Sequence, residues 1–368
     1  MSWIRTPEAL AKLPELLLFG RFSYTYDEIP LIAKGLSFRK RMNLIKAGLD
    51  LALRSEYAHA LPPTIHIEPT NICNLKCPLC PTGSGSLKLP KGFMSFDMFQ
   101  AILNELGDVL LSVILFAFGE PFLNKELPRM IKECTARNIL TLTSTNGHCL
   151  QTLDEALRIV DAGLSVLIIA MDGSTQEIYQ AYRKSGEVEM VKRCIAHVEQ
   201  AKAIRGSDLP YTNLRVVVTR DNEEDLPNIE RIARDLGVNM FSCKSLGCLA
   251  HDKEYKSYEP DKEDMRRFSN QSSPKRSKAP VQCPFPFRQP TIYWDGTVVG
   301  CGCASGYAHL ETPFGKIGEQ SFQELWNSTT AMELRRGIRT GLKLPQFCHI
   351  CPYQGRSKDT SVISYKEL

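Results

Sequence analysis

The sequence predicts an α/β fold followed by a smaller, cysteine-rich domain with a β-hairpin. From Thr64 onward, strand-like runs rich in β-branched residues alternate with amphipathic stretches, which is typical of a parallel sheet covered by helices. The connections between these runs are short. After residue 281 the composition changes to one rich in Gly, Cys, Pro and aromatic residues, which indicates a second domain.

Six runs after the N-terminal region are predicted as strands: Thr64–Glu68, Leu111–Phe118, Ile139–Thr145, Val166–Met171, Asn213–Thr219 and Met240–Lys244. The apolar positions between them recur at helical spacing. The predicted helices are Ser95–Leu106, Leu127–Arg137, Leu153–Ala162 and Glu187–Arg205. Ser95 is a predicted N-cap, since its side-chain oxygen can accept a hydrogen bond from an amide of the first turn.

A helical extension, residues 1–62, is predicted to precede this alternation. Apolar residues recur at three- and four-residue steps between Phe38 and Tyr57, which predicts a helix. Leu61-Pro-Pro63 would end it, because proline cannot continue a helix. The basic residues of this helix are compatible with contact at a membrane surface, but packing against the rest of the fold is the favoured interpretation.

The composition is that of an ordinary globular protein. The chain has 368 residues, of which 43% are hydrophobic and 23% charged, enough for one large domain and a smaller one. A formal net charge of +4 gives no argument for a nucleic acid partner. The first residues lack a basic region followed by an apolar stretch, so a cytoplasmic protein is expected. In reducing cytosol, 13 cysteines are expected to serve mainly as metal ligands.

Cys73, Cys77 and Cys80 are the most informative residues of the chain. Their spacing is C-x3-C-x2-C, and they directly follow the first predicted strand, so the three thiols fall on a loop. Three thiolates leave one iron of a four-iron cluster without a protein ligand, and an open iron can bind a small molecule and pass it an electron. A zinc loop or a redox disulfide is the alternative. Zinc would need a fourth ligand nearby, and the nearest downstream histidine is His148.

With this spacing on the first strand-to-helix loop, the chain resembles the radical S-adenosylmethionine (SAM) superfamily. The resemblance implies a partial (β/α)6 barrel, residues 63–250, with chemistry at the C-terminal ends of its strands. It also implies a 4Fe-4S cluster on these three cysteines and SAM held at the open iron. In that family SAM is cleaved reductively to a 5′-deoxyadenosyl radical, which abstracts hydrogen from the substrate. A low-potential electron donor such as flavodoxin or ferredoxin is the implied partner. Leu79 stands where the family often has an aromatic residue, which leaves ligation unchanged.

The end of the second predicted strand resembles a SAM-binding motif of the family. Phe118-Gly-Glu-Pro121 is similar to its glycine–glycine–glutamate–proline motif, with Phe118 in place of the first glycine. The resemblance implies that Gly119, Glu120 and Pro121 lie against the SAM amino group. Glu120 either accepts a hydrogen bond from that group or holds the motif together.

Two further strand ends carry candidate SAM contacts. Thr145 and Asn146 end the third strand, and their hydroxyl and amide groups can bond ribose hydroxyls or a carboxylate. Asp172 ends the fourth strand, and Arg183 follows it. In the family an arginine at this place lies near the SAM carboxylate, which a guanidinium can grip with two hydrogen bonds. Ala170 stands where the family has a serine.

A second metal site is predicted in the last part of the chain. Cys348 and Cys351 form a C-x2-C pair, and Asp295-Gly296 is a predicted hairpin turn that brings Cys301 to a strand end. Together with Cys283, these cysteines would provide four ligands. A structural zinc ribbon fits the same spacing.

This segment, residues 282–368, resembles the twitch domain, the short form of the SPASM domain. The resemblance implies one auxiliary 4Fe-4S cluster on Cys283, Cys301, Cys348 and Cys351. Cys303 could replace Cys301 as a ligand. Residues 251–281 are polar and are predicted to link the two domains.

These features favour a radical SAM oxidoreductase that acts on a small polar metabolite such as a sugar or an aminocyclitol. An auxiliary cluster with four cysteine ligands has no open iron for substrate, so electron transfer is its natural role and a two-electron oxidation the expected reaction. Modification of a ribosomally made peptide is the first alternative. A non-catalytic iron–sulfur electron carrier is the second. The sequence identifies no catalytic base; Lys244, Asp295 and Arg288 are the candidate pocket residues.

Overall fold

A computed structural model describes residues 11–86, 89–247, 254–267, 283–301, 312–345, 348 and 360–365. The strands in these residues are β1 (Phe22–Tyr26), β2 (Ile29–Ala33), β3 (Thr64–Ile67), β4 (Ser112–Ile114), β5 (Leu140–Thr145), β6 (Val166–Ala170), β7 (Tyr211–Val218), β8 (Met240–Ser245), β9 (Thr291–Ile292), β10 (Thr297–Val299), β11 (Gly315–Lys316) and β12 (Thr360–Ser364).

The helices that cover them are α1 (Leu13–Phe19), α2 (Phe38–Leu53), α3 (Phe96–Leu106), α4 (Leu127–Ala136), α5 (Leu153–Ala162), α6 (Gln176–Tyr182), α7 (Val188–Arg205), α8 (Leu226–Asp235), α9 (Tyr255–Tyr258), α10 (Phe285–Arg288), α11 (Phe322–Trp326) and α12 (Thr329–Thr340). Ser95 caps α3 by accepting a hydrogen bond from the backbone N–H of Met98, as predicted. No helix among the described residues is both long and apolar enough to cross a membrane.

The central sheet confirms the predicted α/β class. Its order is β11-β10-β9-β3-β4-β5-β6-β7-β8-β12, and strands β3 to β8 are parallel to one another. They are the six strands predicted from the sequence, although β4 is shorter than its predicted run. Because the strands succeed one another in chain order, their C-terminal ends lie along one edge, where the loops that carry the site residues begin.

Strand β6 is apolar on both faces because both are covered. Side chains alternate between the faces of a strand. Leu167 and Ile169 of β6 pack into the core formed with the helices. Val166 and Ile168, which alternate with them in sequence, belong to a second buried cluster on the inner face.

The hairpin β1–β2 covers this inner face, which corrects the sequence analysis, because residues 1–62 were expected to be helical. The hairpin and the barrel strands form one buried cluster: Tyr26, Ile29, Leu31, Ile114, Leu142, Val166, Ile168, Tyr211 and Met240. Its two-residue turn is Asp27-Glu28, with φ of 52° and 67°, as a hairpin turn that matches strand twist requires. The hairpin is therefore an inner lining of the barrel.

Helix α2 ends earlier than predicted. Arg54 adopts a left-handed conformation with φ of 50°, and its backbone N–H bonds to the carbonyl oxygens of Asp50 and Leu51. The carboxylate of Asp50 accepts hydrogen bonds from the backbone N–H groups of His59 and Ala60, at 2.7 and 2.9 Å. This carboxylate thus folds the chain back before the prolines that were expected to end the helix.

The C-terminal segment continues the sheet at the free edge of β3. Strand β9 pairs parallel to β3, and β10 pairs antiparallel to β9. Gly296, at the predicted turn, has φ of 88°. The indole N–H of Trp326 donates to the carbonyl oxygen of Ala60 at 3.0 Å, and Trp326 is fully buried. Of the predicted linker 251–281, residues 254–267 are described; they contain α9 and a 3-10 turn at Glu263–Met265.

Candidate functional site

The three loop cysteines lie together beyond the C-terminal end of β3. Cys73, Cys77 and Cys80 pack in one cluster, and none forms a disulfide. Cys77 is buried, whereas Cys73 and Cys80 are partly exposed. Burial raises the pKa of the Cys73 thiol to about 11. Burial also raises the pKa of Cys77, which the neighbouring guanidinium of Arg183 opposes.

The loop that follows β4 is pressed directly against the cysteine loop. The backbone N–H of Glu120 donates to the carbonyl oxygen of Ile72 at 2.8 Å. Gly119 has φ of 75°, and a Cβ there would lie 2.4 Å from the carbonyl oxygen of Thr70. Only glycine combines this conformation with so close an approach. The motif Phe118–Pro121 therefore lies beside the cysteine loop, and its contact with SAM stays a prediction.

The Glu120 carboxylate ties this loop to the end of β5. It accepts hydrogen bonds from the Thr145 hydroxyl at 2.9 Å, from the backbone N–H of Asn146 at 2.7 Å and from that of Phe122 at 3.2 Å. Burial raises its pKa to about 7, although these hydrogen bonds favour the ionised form. Of the two roles left open for Glu120, this geometry favours holding the motif together.

Asn146 connects the end of β5 to the cysteine loop. Its side-chain nitrogen donates to the carboxamide oxygen of Asn74 at 2.7 Å and lies 3.8 Å from the sulfur of Cys73. The Thr145 hydroxyl also accepts from the backbone N–H of Gly147 at 3.0 Å. Both side chains are thus engaged in fixing strand ends, and Asn146 in addition faces a thiol.

Asp172 and Arg183 form a buried ion pair beside the second cysteine. The guanidinium Nε of Arg183 donates to Asp172 Oδ2 at 2.5 Å, and its Nη1 lies 3.8 Å from the sulfur of Cys77. Asp172 Oδ1 accepts from the backbone N–H of Val217 at 2.8 Å. The pair places a positive charge next to a thiolate ligand position, which stabilises negative charge there.

The loops after β3, β4, β5 and β6 thus meet around the three cysteines, and comparison with known proteins decides the family. The model of the radical SAM superfamily matches residues 67–233, and that of the SPASM iron–sulfur cluster-binding domain matches residues 283–352. The chain belongs to the radical SAM superfamily. It is an enzyme of that superfamily, and the electron-carrier alternative is set aside.

Relatives match most of this radical SAM chain. A tungsten-containing aldehyde ferredoxin oxidoreductase cofactor-modifying protein of Pyrococcus furiosus is 25% identical over 72% of the chain and 80% of the relative. A pre-heme d1 synthase of Dinoroseobacter shibae is 24% identical over 79% of the chain and 80% of the relative. The SAM-bound structure of Streptococcus suis SuiB has a TM-score of 0.60 and 13% identity, with 90% of this chain and 78% of that chain covered. This last likeness shows the fold.

A 4Fe-4S cluster and SAM are the cofactors of a radical SAM domain, and a SPASM domain holds auxiliary iron–sulfur clusters. The donor set around Cys73, Cys77 and Cys80 fits the first cluster, because three free thiols share one loop with two nitrogen donors beside them. Among the described residues, no three His, Cys, Asp or Glu side chains are spaced to hold a single metal ion. A cluster does not require that spacing, since each thiolate binds a different iron.

The auxiliary site is described in part. Of the predicted ligands, the structure describes Cys283, Cys301 and Cys348. Cys283 and Cys348 pack against the main core, and Cys301 is buried. Cys351 and Cys303 lie outside the described residues, so the four-ligand set remains a prediction.

An ionic cluster on the inner face of the barrel was missed by sequence reasoning. Asp27 Oδ2, in the hairpin turn, accepts hydrogen bonds from Arg215 Nη1 of β7 at 2.6 Å and from Lys244 Nζ of β8 at 2.7 Å. Arg215 Nε donates to the hydroxyl of Ser242 at 3.2 Å. Burial alone would raise the pKa of Asp27, but Lys244 and Arg215 hold it below its usual range. Lys244 was a candidate pocket residue; Asp27 and Arg215 were not.

A buried carboxyl group lies at the C-terminal end of β3. Glu68 is 2% exposed, and its Oε1 makes no hydrogen bond to the described residues. Its Oε2 accepts from the backbone N–H of Trp294 at 3.4 Å. Burial raises the pKa of Glu68 to about 7. The backbone N–H groups of Trp294 and Phe118 oppose this increase, and the charge of Asp295 adds to it. Since Ile65 and Ile67 face the helices, strand alternation places Glu68 on the inner face.

Proposed function

We propose that this enzyme abstracts hydrogen from a small polar metabolite and carries out a two-electron oxidation of it. The observation that carries the proposal is the division of the inner face. Near the N-terminal ends of the strands, the hairpin fills the inner face with apolar side chains. Nearer their C-terminal ends, the charged groups of Asp27, Arg215 and Lys244 meet. Charged groups above an apolar floor suit a small hydrophilic molecule. The relatives that match most of the chain are named for a cofactor and a heme, whereas peptide-modifying relatives match about half of it.

In this proposal Cys73, Cys77 and Cys80 hold the cluster that meets SAM, and Cys283, Cys301, Cys348 and Cys351 hold the auxiliary cluster. When bound, these cofactors supply hydrogen-atom abstraction from the substrate and an acceptor for one further electron. The chain itself binds and orients the substrate and excludes water. Arg183, Asn146 and Glu120 keep the three loops around SAM in register.

The chain must also take up a proton if an alcohol becomes a carbonyl, because the substrate loses one C–H and one O–H bond. Glu68 Oε1 is the proposed acceptor. It is buried on the inner face, at the edge where the strands end, and it has no partner among the described residues. A carboxyl group that titrates near neutral pH is suited to general-base work.

The proposal can be tested with an extract of the source organism grown in heavy water, which supplies deuterated candidate substrates. The loaded enzyme is supplied with SAM, a reductant and either the dialysable or the macromolecular fraction of the extract. We expect deuterated 5′-deoxyadenosine only with the dialysable fraction, together with a metabolite that has lost two hydrogen atoms. Deuterium transfer from the macromolecular fraction alone would instead identify a peptide or protein substrate.

The role of Glu68 is tested by Glu68→Gln, which keeps the shape of the side chain but cannot accept a proton. We expect deuterium transfer to persist while product formation falls by about 10²-fold or more. Asp295→Asn is a companion variant. It removes the neighbouring charge that adds to the raised pKa of Glu68, so the acidic limb of the rate profile should move to lower pH. Equal product formation by Glu68→Gln and wild type would exclude Glu68 as the acceptor.

A further inference from the structure

The ionic cluster at the hairpin turn has more donors than its own acceptor uses. Among the described residues, Lys244 Nζ makes one hydrogen bond, to Asp27 Oδ2, whereas an ammonium group has three N–H donors. The Lys244 side chain is 22% exposed and that of Arg215 is 10% exposed. Two cations share one carboxylate oxygen, so the cluster carries an excess of one positive charge.

A further donor belongs to the same network. The Ser242 hydroxyl donates to the carboxamide oxygen of Asn213 at 2.9 Å, which fixes that side chain. The nitrogen of Asn213 is buried and has no acceptor among the described residues. A buried donor without a partner is costly unless something binds it. The unused donors of Lys244 and Asn213 thus lie on adjacent strands, with Arg215 between them in the network.

The position of the cluster relates it to substrate and not to the cofactor contacts already described. Arg215 pairs in register with Ala170 of β6, and Lys244 pairs with Val217 of β7. Val217 N–H is in turn bonded to Asp172. The cluster therefore lies on the inner face, next to the Asp172–Arg183 pair and nearer the N-terminal ends of the strands. The turn of the N-terminal hairpin closes it on the side of those ends.

We propose that the N-terminal hairpin is the floor of the active site and that Lys244 and Arg215, anchored there by Asp27, receive an anionic group of the substrate, a carboxylate or a phosphate. This inference rests on the proposed function, since it names the chemical class of the small metabolite. Arg215 and Lys244 bind such a group through charge-assisted hydrogen bonds. Asp27 holds both cations in place without the anion and competes with it when it arrives.

The competition gives the site a signature that a merely structural ion cluster lacks. Lys244→Gln removes a receptor and should weaken anion binding by about tenfold or more. Asp27→Asn removes the competing charge and should tighten anion binding by about tenfold, while the protein without anion becomes less stable. The two substitutions thus act in opposite directions on affinity. Lys192→Gln is the control, because Lys192 makes one ion pair on a helix surface, with Glu189.

The first experiment measures binding of inorganic phosphate and of succinate to the fully loaded enzyme with SAM, by calorimetry, with glycerol as the neutral probe. We expect binding of at least one of the two anions and none of glycerol. Affinity should fall in Lys244→Gln, rise in Asp27→Asn and stay unchanged in Lys192→Gln. No anion binding by wild type, or affinity that is unchanged or lowered in Asp27→Asn, would overturn the proposal. The anion that binds shows which of the two groups is recognised.

The second experiment separates this inference from the proposed function. The dialysable fraction is passed over an anion exchanger, and each pool is assayed for deuterium transfer to 5′-deoxyadenosine. Activity in the retained pool supports the anionic substrate, and its loss on phosphatase treatment would assign a phosphate. Activity in the flow-through would refute the anion receptor and leave the proposed function intact. Activity in neither pool, with activity in the macromolecular fraction, would refute the proposed function.

Discussion

Replacing one residue of the hairpin tests whether it is inserted in the barrel. Ile29 lies in β2 and is 0% exposed, in the cluster shared with β4, β5 and β6. Ile29→Ala leaves a cavity between hairpin and sheet and should lower the free energy of unfolding by about 2–5 kcal/mol. Ile32→Ala is the matched control, because Ile32 is on the same strand, is only partly buried and lies outside that cluster. Its expected cost is about 1 kcal/mol.

The assay is urea unfolding of the loaded enzyme under anaerobic conditions, followed by far-ultraviolet circular dichroism. With a slope of about 3 kcal/mol/M, Ile29→Ala should lower the urea midpoint by about 1 M, and Ile32→Ala by about a third of that. The slope should be the same in all three proteins. Equal and small shifts for both variants would show that the hairpin does not pack inside the barrel. The floor of the active site would then have to be sought elsewhere.

Two further outcomes follow from the contacts around the site. Gly119→Ala forces a Cβ against the Thr70 carbonyl and should separate the cysteine loop from the loop that follows β4, so iron content and SAM binding should fall together. Gly237→Ala is the control, because Gly237 has a similar φ of 78° but nothing lies within 4 Å of the added Cβ. This variant should retain iron and SAM binding. The pKa of Glu68 is about 7 in the folded state, against 4.5 ordinarily, so between these pH values the folded state binds a proton that the unfolded state does not. Protonated Glu68 therefore stabilises the fold fully below pH 4.5, and this stabilisation is lost as pH rises to about 7. Glu68→Gln should therefore lose less stability than wild type between pH 4.5 and 7, measured as the urea midpoint at each pH. If the midpoints of the two proteins changed in parallel with pH, Glu68 would have an ordinary pKa.

The parts of the fold that the sequence predicts are those with local signals. The strands β3 to β8 and the helices between them follow from β-branched runs, helical spacing and caps such as Ser95. The hairpin was missed for local reasons also. Its turn, Asp27-Glu28, contains neither Gly nor Asn, and Pro30 lies in its second strand, where proline argues against a strand. The alternation of apolar residues at Tyr24, Tyr26, Ile29 and Leu31 was the available signal.

The candidate site also has parts with a local sequence signal and parts without one. The cysteine spacing and the motif around Gly119 are contiguous in sequence and were predicted with their neighbours. The ion pairs of Asp27 join residues 188 and 217 positions away in the chain. No local pattern brings such residues together, because the contact depends on how the hairpin packs on the sheet. Glu68 was visible in the sequence, but its burial depends on the segment around Trp294, which pairs with β3 only in the folded chain.

The central claim is that Cys73, Cys77 and Cys80 hold the cluster that acts on SAM. The most direct measurement is iron and sulfide quantitation with Mössbauer spectroscopy of the anaerobically reconstituted wild type and of a variant with all three cysteines changed to Ala. Turnover of SAM with dithionite is measured in the same samples. We expect about eight irons in wild type and about four in the variant, with 5′-deoxyadenosine formed only by wild type. Equal iron contents, or SAM cleavage by the variant, would contradict the account.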